Sequence, residues 1–387
     1  MNPDQLPAAL AELDAQGLLR RRRVLDGMQG VRVRLDGRDY LSFASNDYLG
    51  LAGHPGLAAA ARAGMDAAGV GAGAAHLLTG HHRLHHELEE RLAGFVGLPA
   101  ALLFSTGYMA SLGVLPALLD RHAEVFEDRL NHASLVDAAV LSRATLTRYP
   151  HLDLDWLDRK LGESTAATKL IASDTVFSMD GDIAPLRALL DLAERHGTWL
   201  YLDDAHGFGV LGEAGWGAME YAGLPADNPR LIYLATLGKA AGVAGAFVAG
   251  TSELVEWLVN RARTYVYTTA QPPLLAAALD ASLDLIAGEA WRRERLRELV
   301  AHLREALAGL PWPLMDSATP IQPLLVGGNV ETLRLADGLR ERGILCPAIR
   351  PPTVPQGQAR LRISLSAAHA PGDVDALAAA LRELAHG

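Results

Sequence analysis

The chain has 387 residues, of which 50% are hydrophobic and 21% charged, and this composition excludes a disordered protein. It carries 35 Lys and Arg residues against 45 Asp and Glu residues, so the net charge is −10 and we expect no nucleic-acid partner. The single cysteine, Cys346, excludes an intrachain disulfide and fits a reducing, cytoplasmic setting.

The N-terminal half of the chain predicts alternating helices and strands. A helix is expected over about the first 20 residues, without the basic and long apolar regions of a signal peptide. Residues 31–43 alternate around Asp36-Gly37 and predict a β-hairpin. Helical patterns follow near 56–68, 82–97, 109–120, 153–161, 185–196 and 252–263. Between them lie short apolar runs at 101–104, 124–126, 169–171, 198–202, 231–235 and 246–248. This alternation predicts βαβ units and a mainly parallel sheet.

The remainder predicts a second α/β unit. Two helices, near 273–287 and 291–307, precede a strand–helix–strand–helix block over 322–387. We therefore expect an N-terminal helix and hairpin segment (1–45), a large domain (46–287) and a small C-terminal domain (288–387). Residues 231–250 are almost wholly apolar, but Lys239 near their centre favours strand, glycine-rich turn and strand over a membrane span.

Ligands of open parallel sheets bind beyond the carboxyl ends of strands, so the residues after each run are candidates for chemistry. Ser105-Thr106-Gly107-Tyr108 follows the run at 101–104 and precedes a helix. Backbone N–H groups at such a joint bind anions, phosphate above all. Many strand-to-helix turns of this composition hold no ligand, so this motif alone does not establish a phosphate site.

Two further strand ends carry charged residues. Asp203 and Asp204 follow the run at 198–202, with His206 close behind. Buried carboxylates need partners, so either an aspartate caps the next helix or Asp203 meets a buried cation. Lys239 follows the run at 231–235. Either it reaches the surface, or its desolvated amine is a nucleophile of the kind that forms Schiff bases.

These three strand ends together match the needs of a pyridoxal 5′-phosphate (PLP) enzyme. Such an enzyme needs a lysine for the aldehyde, an acid for the pyridine nitrogen and an anion site for the phosphate. A motif of another ligand-binding class is present without the secondary structure that it requires. Gly69-x-Gly71-x-x-Ala74 follows a helix rather than a strand, so it does not predict a dinucleotide site.

A group of five histidines lies between residues 76 and 86 without an HExxH motif. We expect helix 82–97 to bury Leu84, Leu88, Leu92 and Val96 and to leave most of the histidines on its flanks. We therefore predict no metal. The histidines are His76, His81, His82, His85 and His86.

At this point the ordered motifs resemble the α-oxoamine synthases, a family of PLP enzymes with the aspartate-aminotransferase fold (fold type I). The resemblance runs from about residue 20 to 370. Its motifs are Ser45-Asn46-Asp47-Tyr48-Leu49-Gly50, Ser105-Thr106-Gly107-Tyr108, Asn131-His132-Ala133-Ser134, Phe177-Ser178-Met179-Asp180-Gly181-Asp182, Asp203-Asp204-Ala205-His206-Gly207 and Thr236-Leu237-Gly238-Lys239.

The resemblance implies catalytic roles for Lys239, Asp203, His132 and His206, and a cofactor contact for Ser178. Lys239 would hold PLP covalently and later move the substrate's α-proton. Asp203 would pair with the ring nitrogen, and His132 would stack on the ring face beside the substrate. Ser178 and His206 would contact the cofactor, His206 at the phenolic oxygen. His132 could alternatively be a core histidine.

The resemblance also implies a phosphate site and a dimer. Gly107, Tyr108 and Thr236 would hold the phosphate. Thr268 or Thr269 would reach the phosphate of a partner subunit, because enzymes of this family are homodimers with the site at the interface.

The substrate contacts implied by the resemblance are arginine-based. Asn46 and Arg362 would bind the amino-acid carboxylate, and arginine suits bidentate carboxylate binding. Arg20 and Thr353 match positions near the substrate, and Arg350 is a candidate for the distal carboxylate of an acyl chain. Arg20 could instead be surface charge, and Arg350 could simply close a turn.

A late segment, from Ile349-Arg350-Pro351-Pro352 to Arg362, resembles one branch of the family. That branch condenses L-alanine with a pimeloyl thioester, carried by CoA or acyl-carrier protein, to give 8-amino-7-oxononanoate in biotin synthesis. The alternatives are another member, such as one that uses glycine and acetyl-CoA, or a non-catalytic subunit. Ala75, His76 and Asp174-Thr175 depart from the family pattern, which leaves fine substrate contacts open.

Overall fold

The computed structural model describes residues 1–16, 18–19 and 22–386. Its helices, besides a short 3₁₀ turn (Pro3–Gln5) and a π turn (His76–Gly80), are α1 (Leu6–Ala15), α2 (Pro55–Ala68), α3 (Arg83–Val96), α4 (Gly107–Leu118), α5 (Ala133–Ser142), α6 (Leu154–Glu163), α7 (Leu186–His196), α8 (Ala218–Tyr221), α9 (Ser252–Arg261), α10 (Arg263–Val266), α11 (Pro273–Gly288), α12 (Trp291–Ala306), α13 (Asn329–Glu341) and α14 (Pro371–His386). Within these residues, no helix is long and apolar enough to cross a membrane.

The strands form three sheets. They are β1 (Leu25–Asp26), β2 (Arg32–Leu35), β3 (Arg38–Ser42), β4 (Ala100–Phe104), β5 (Ala123–Asp128), β6 (Thr145–Tyr149), β7 (Thr168–Asp174), β8 (Trp199–Asp203), β9 (Leu231–Thr236), β10 (Ala246–Gly250), β11 (Ile321–Gly327), β12 (Ile344–Leu345), β13 (Ala348–Ile349) and β14 (Ala359–Ser364). The central sheet has seven strands in the order β4-β10-β9-β8-β7-β5-β6.

The central sheet confirms the predicted α/β fold with a mainly parallel sheet. Strands β9, β8, β7, β5 and β6 are parallel, and β10 alone runs antiparallel to its neighbours β4 and β9. Successive residues of a strand point to opposite faces. Leu202 therefore packs in the larger core on one face, whereas Tyr201 packs in the smaller core on the other face.

The smaller sheets connect the two ends of the chain. The predicted hairpin is present as β2 and β3, and β3 pairs in parallel with β12 through Ile344 and Leu41. Strands β11, β14 and β13 form an antiparallel sheet. The hairpin therefore packs with the C-terminal region, and the division at residues 45 and 287 stays a prediction.

The elements that the sequence did not predict include helix α5 and strand β6. Helix α5 is apolar around much of its circumference, with Leu135 and Ala139 buried and Val140 and Leu141 exposed, so it lacks a clear amphipathic period. Strand β6 is a sheet edge of mixed polarity, Thr-Leu-Thr-Arg-Tyr. The first helix also ends earlier than expected, at Ala15.

Candidate functional site

A cavity of about 190 Å³ lies at the carboxyl ends of the central parallel strands. Such a position is where open α/β sheets bind their ligands. We call it the Lys239 cavity. It is lined by Gly107, Tyr108, His132, Ser134, Asp174, Asp203, Ala205, His206, Thr236 and Lys239. It therefore brings together seven of the residues singled out from the sequence, which come from four different strand ends and helix starts.

Lys239 enters the cavity from the glycine-rich turn after β9. The turn is tight at Gly242, whose φ is 71° and where an added Cβ would lie 2.7 Å from the backbone of Leu51. Burial lowers the pKa of the Lys239 amine to about 8, although the charges of Asp203 and Asp174 oppose this shift. A substantial neutral fraction near neutral pH makes the amine a nucleophile.

His206 connects Lys239 to a buried tyrosine. Its Nε2 lies 2.8 Å from Lys239 Nζ, and its Nδ1 lies 2.6 Å from the hydroxyl of Tyr48. Burial, together with the charge of Lys239, lowers the pKa of His206 well below its usual value. The imidazole is therefore neutral and carries a single ring proton.

Asp203 and Asp204 are adjacent but serve opposite faces of the sheet. Asp203 ends β8 in the cavity, where its Oδ1 accepts a hydrogen bond of 3.1 Å from the Ala205 amide. Asp204 accepts hydrogen bonds of 2.7 Å from the first amide of α8, at Ala218, and from the Tyr233 hydroxyl. Of the two alternatives predicted from the sequence, helix capping therefore applies to Asp204. Asp203 caps none of the described helices and is available to bind a cation.

Burial raises the pKa of Asp203, and the charges of Lys239 and His132 act in the opposite direction. Its neighbour Asp174, at the end of β7, is directly across the parallel ladder and is also buried. Burial and the Asp203 charge raise the pKa of Asp174 well above its usual value. A cation bound against Asp203 would relieve this local excess of buried carboxylates.

His132 is the residue before α5 and lines the same cavity. The His132 amide donates to Asp174 Oδ2 at 3.2 Å, and its Nδ1 lies 2.8 Å from the Ser134 hydroxyl. Burial lowers the pKa of His132, while the Asp203 charge raises it. A mainly neutral imidazole can stack on a flat ligand without adding charge to the site.

The first turn of α4 contributes Gly107 and Tyr108 to the lining of the cavity. Thr106 caps the helix by accepting from the Met109 amide at 3.1 Å, and the amides that begin the helix have no intrahelical acceptor. The Tyr108 hydroxyl donates to Asp137. The Thr236 hydroxyl donates to the Gly245 carbonyl at 3.1 Å and must rotate to donate to a phosphate.

Arg362, Asn46 and Ser178 lie beside the cavity but do not line it. Arg362 Nη1 and Nη2 are both 3.3 Å from Asn46 Oδ1, and Arg362 Nε donates to the Ser178 carbonyl at 2.5 Å. The Ser178 carbonyl therefore contacts Arg362, and the contact of Ser178 with the cofactor stays a prediction. The Tyr48 hydroxyl connects this group to His206.

Other predicted site residues lie apart from the Lys239 cavity. Thr268 and Thr269 follow α10 and do not line it in the single chain. Arg350 and Thr353 line a second cavity of about 660 Å³, together with Leu13 and residues 348–352, which we call the Arg350 cavity. Arg20 lies outside the described residues.

Sequence reasoning missed three polar residues of the site. Tyr48 and Ser134 lie inside motifs that were singled out, but neither received a role. Asp174 was noticed only as a departure from the family pattern. The predicted strand ended at residue 171, whereas β7 continues to Asp174, so its position beside Asp203 was not foreseen. A longer strand prediction would have brought Asp174 to the same sheet edge.

Two members of the histidine group are buried, and the other three, His81, His82 and His86, are partly or fully exposed, as expected for most of the group. His76 and His85 are 7% and 1% exposed. Their ring nitrogens, with one of His81, lie within 4.8 Å of one another. His76 Nδ1 and His81 Nδ1 are 2.9 Å apart, and the His82 amide donates to His85 Nδ1 at 3.1 Å. These hydrogen bonds use the Nδ1 atoms, whereas the buried Nε2 of His85 has no hydrogen-bond partner among the described residues, and the absence of a metal stays a prediction.

Comparisons with known proteins agree with this geometry. The model of the aminotransferase class I and II family matches residues 38–381. A protein of Nitrosomonas europaea named 8-amino-7-oxononanoate synthase is 61% identical over 381 residues, which cover 98% of each chain. A structure of a serine palmitoyltransferase variant from S. paucimobilis, with a bound PLP-myriocin aldimine, has a TM-score of 0.90 at 28% identity over 98% of both chains. The crystal structure of 8-amino-7-oxononanoate synthase from Francisella tularensis has a TM-score of 0.78 at 31% identity, over 89% of this chain and 97% of that chain. The family match includes every residue that lines the Lys239 cavity.

Proposed function

We propose, from the premise that the chain belongs to the aminotransferase class I and II family, that it is a PLP-dependent acyltransferase. It condenses L-alanine with a pimeloyl thioester and releases 8-amino-7-oxononanoate, CO2 and the free thiol. The observation that carries this proposal is the 61% identity, along 98% of both chains, to a protein named for this product. The Lys239 cavity supplies the matching chemistry.

The residues of the cavity fit PLP. Lys239 offers an amine with a pKa of about 8 for the aldehyde. Asp203 is a buried carboxylate whose Oδ1 accepts from the Ala205 amide, and a protonated pyridine nitrogen would supply an ion-pair partner. The first turn of α4, at Gly107 and Tyr108, offers N–H groups to the phosphate.

PLP, when bound, supplies an aldehyde that bonds to amines and a ring that takes up the electrons of a bond broken at the α-carbon. Lys239 Nζ accepts the α-proton of alanine, which its neutral fraction permits. Asp203 would place its negative charge beside the ring nitrogen and thereby favour the protonated ring. His132 would stack on the ring, and His206 Nε2 lies 2.8 Å from Lys239 Nζ and fixes its position.

Arg362 and Asn46 bind the carboxylate of alanine. Arg362 is only 5% exposed, and its guanidinium is oriented by Asn46 and by the Ser364 hydroxyl at 2.8 Å. A planar, oriented guanidinium binds a carboxylate through two parallel hydrogen bonds. Arg350 and Thr353, in the Arg350 cavity, and Arg20 would contact the pimeloyl chain, Arg350 at its distal carboxylate.

The working unit is a homodimer in the cytoplasm. Thr268 and Thr269 do not line the cavity of their own chain, so contact with a phosphate requires the cavity of a second copy. Mixed dimers of Lys239→Ala and Thr269→Val chains test this, because one of their two sites would be free of both substitutions. Activity no higher than in the parent variants would contradict the shared site. Cell fractionation tests the location, which the free, buried thiol of Cys346 supports.

The function is tested by incubating the PLP-loaded protein with L-alanine and pimeloyl-CoA or pimeloyl acyl-carrier protein. We expect equal amounts of CO2, free thiol and 8-amino-7-oxononanoate. A glycine and acetyl-CoA mixture serves as the competing pair. Turnover of that pair alone would replace the alanine reaction with a sister activity, and no colour after incubation with PLP would indicate a non-catalytic subunit.

The lysine assignment can be tested cleanly because the chain has three lysines, Lys160, Lys169 and Lys239. Borohydride reduction of the PLP-loaded protein should attach the cofactor to Lys239, and Lys239→Ala should carry no label. Lys160→Arg is the matched control, since Lys160 pairs with Glu163 on the surface. Label on Lys160 or Lys169 in the native protein would contradict the assignment.

A further inference from the structure

The hydroxyl of Tyr48 is the polar end of a fully buried side chain beside the Lys239 cavity. It lies 2.6 Å from His206 Nδ1, 3.2 Å from Asn46 Oδ1 and 3.4 Å from Arg362 Nη2. The hydroxyl therefore lies between two pairs of residues. His206 and Lys239 would contact the cofactor, and Asn46 and Arg362 would bind a substrate carboxylate. The turn that carries Tyr48 is fixed by Asp47, whose carboxylate accepts from the amides of residues 51 and 52 at 2.8 and 3.1 Å.

The direction of these hydrogen bonds follows from counting protons. A guanidinium only donates, so Tyr48 accepts from Arg362. Tyr48 then has a single proton, for which Asn46 Oδ1 and His206 Nδ1 compete. Asn46 Oδ1 already accepts from both Nη atoms of Arg362 at 3.3 Å. The contact with His206 is 0.6 Å shorter than that with Asn46, which favours His206 Nδ1 as the acceptor of the phenolic proton.

The direction of the Tyr48 hydrogen bond also determines which ring nitrogen of His206 carries the proton. The imidazole is neutral, because burial keeps its pKa well below the usual value. A neutral ring whose Nδ1 accepts a proton from Tyr48 must carry its own proton on Nε2. Nε2 is the atom 2.8 Å from Lys239 Nζ, so an N–H group, not a lone pair, faces the amine.

We propose that Tyr48 is a positioning residue that holds His206 in the Nε2–H form, so that a hydrogen-bond donor points at Lys239 and into the cavity. This inference rests on the proposed function only for the purpose of the donor. Once PLP is bound, the Nε2–H group of His206 would face the phenolic oxygen of PLP. In the cofactor-free chain, the Nε2–H group donates to the lone pair of the Lys239 amine. The neutral, nucleophilic form of Lys239 is thereby favoured.

Removing the hydroxyl should reverse this preference. In Tyr48→Phe the ring packing is kept, but His206 can place its proton on Nδ1 and accept at Nε2 from a charged Lys239. The ammonium form then gains a hydrogen bond that the amine form loses. The pKa of Lys239 should rise by about one unit, so that about tenfold less neutral amine is present below the midpoint.

The measurement is trace acetylation of the cofactor-free full-length chain with acetic anhydride across pH 6 to 11, with each lysine quantified by peptide mass spectrometry. The midpoint for Lys239 should move upward in Tyr48→Phe, while that of Lys160 in the same samples stays fixed. The other charged groups that act on Lys239 or His206 are Asp203, Asp174, His132 and Arg362, and all of them are unchanged in the variant.

Tyr233→Phe is the matched control. Tyr233 is equally buried and loses a hydrogen bond of 2.7 Å, to Asp204, but it does not line the cavity. It should lower stability without moving the Lys239 midpoint. An unmoved midpoint in a folded Tyr48→Phe chain, or an equal shift in both variants, would overturn the proposal.

A second measurement needs no variant. Neutron diffraction from crystals of the wild-type cofactor-free chain should place deuterium on His206 Nε2, and deuterium on Nδ1 would overturn the inference even if Tyr48→Phe failed to fold. Both readouts are independent of turnover. If the Lys239 midpoint shifts but the chain makes no product from alanine, the role of Tyr48 is supported and the proposed reaction is refuted. If product forms but the midpoint does not move, the proposed reaction is supported and the role of Tyr48 is refuted.

Discussion

Replacing Asp203 by asparagine removes a negative charge while nearly preserving the volume of the side chain. Asp203 is 6% exposed, and its neighbour Asp174 is 3% exposed, so a cation held against Asp203 is desolvated rather than screened by water. Removing one partner of a buried ion pair costs about 3–5 kcal/mol. If that pair forms with the ring nitrogen and is needed in the transition state, kcat should fall by about a hundred- to several-thousandfold.

The assay compares product formation at saturating alanine and pimeloyl thioester with the visible spectrum of the loaded protein. Asp204→Asn is the control, since Asp204 caps α8 on the opposite face of the sheet. That change should lower Tm by a few degrees, because buried donors lose their acceptor, but leave kcat within about threefold. An Asp203→Asn protein with near-native kcat and normal PLP content would refute the ion-pair reasoning.

Three further outcomes are expected. PLP should attach to the cofactor-free chain faster as pH rises through about 8, the pKa of Lys239, because only the neutral amine attacks; a rate that is flat from pH 6 to 10 would contradict this. Arg362→Lys should raise KM for L-alanine about tenfold or more with a smaller change in kcat, since a lysine cannot bind a carboxylate through two parallel hydrogen bonds; an unchanged KM would remove Arg362 from the carboxylate site. Dialysis against a chelator should leave activity intact, and elemental analysis should find no stoichiometric zinc; zinc that is present in the native protein and lost in His81→Gln would show that the histidine group is a metal site.

The central sheet was predictable because its strands are short apolar runs separated by amphipathic helices, a pattern that depends on local sequence alone. The order of strands was not predictable, because register and neighbour choice depend on contacts between distant segments. The antiparallel β10 illustrates the difference. Its apolar run at 246–248 was recognised, but nothing in that run states its direction relative to β4 and β9.

The site was predictable to the extent that its residues end strands of one sheet. Gly107, Asp203 and Lys239 lie at or just after the carboxyl ends of β4, β8 and β9, which belong to a run of four neighbouring strands in the sheet. Because ligands of such sheets bind at the carboxyl ends of the strands, the three residues are expected at one site. Asp174 was missed because β7 continues three residues beyond its apolar run, through Ala172 and Ser173. These residues are small or polar and yet buried, so hydrophobicity alone underestimates the strand.

Tyr48 shows what the sequence leaves undetermined even when a motif is recognised. The segment Ser45-Asn46-Asp47-Tyr48 precedes the Lys239 turn by about 190 residues, and no local periodicity relates the two. The fold brings them together because Tyr48 packs between β14, which carries Arg362, and the loop after β8, which carries His206. A motif indicates that a tyrosine is required, but the direction of its proton depends on three partners from three separate segments. Substitution at any one of these partners should therefore change the acidity of Lys239, and substitution of Tyr48 by phenylalanine should change it without altering any charge.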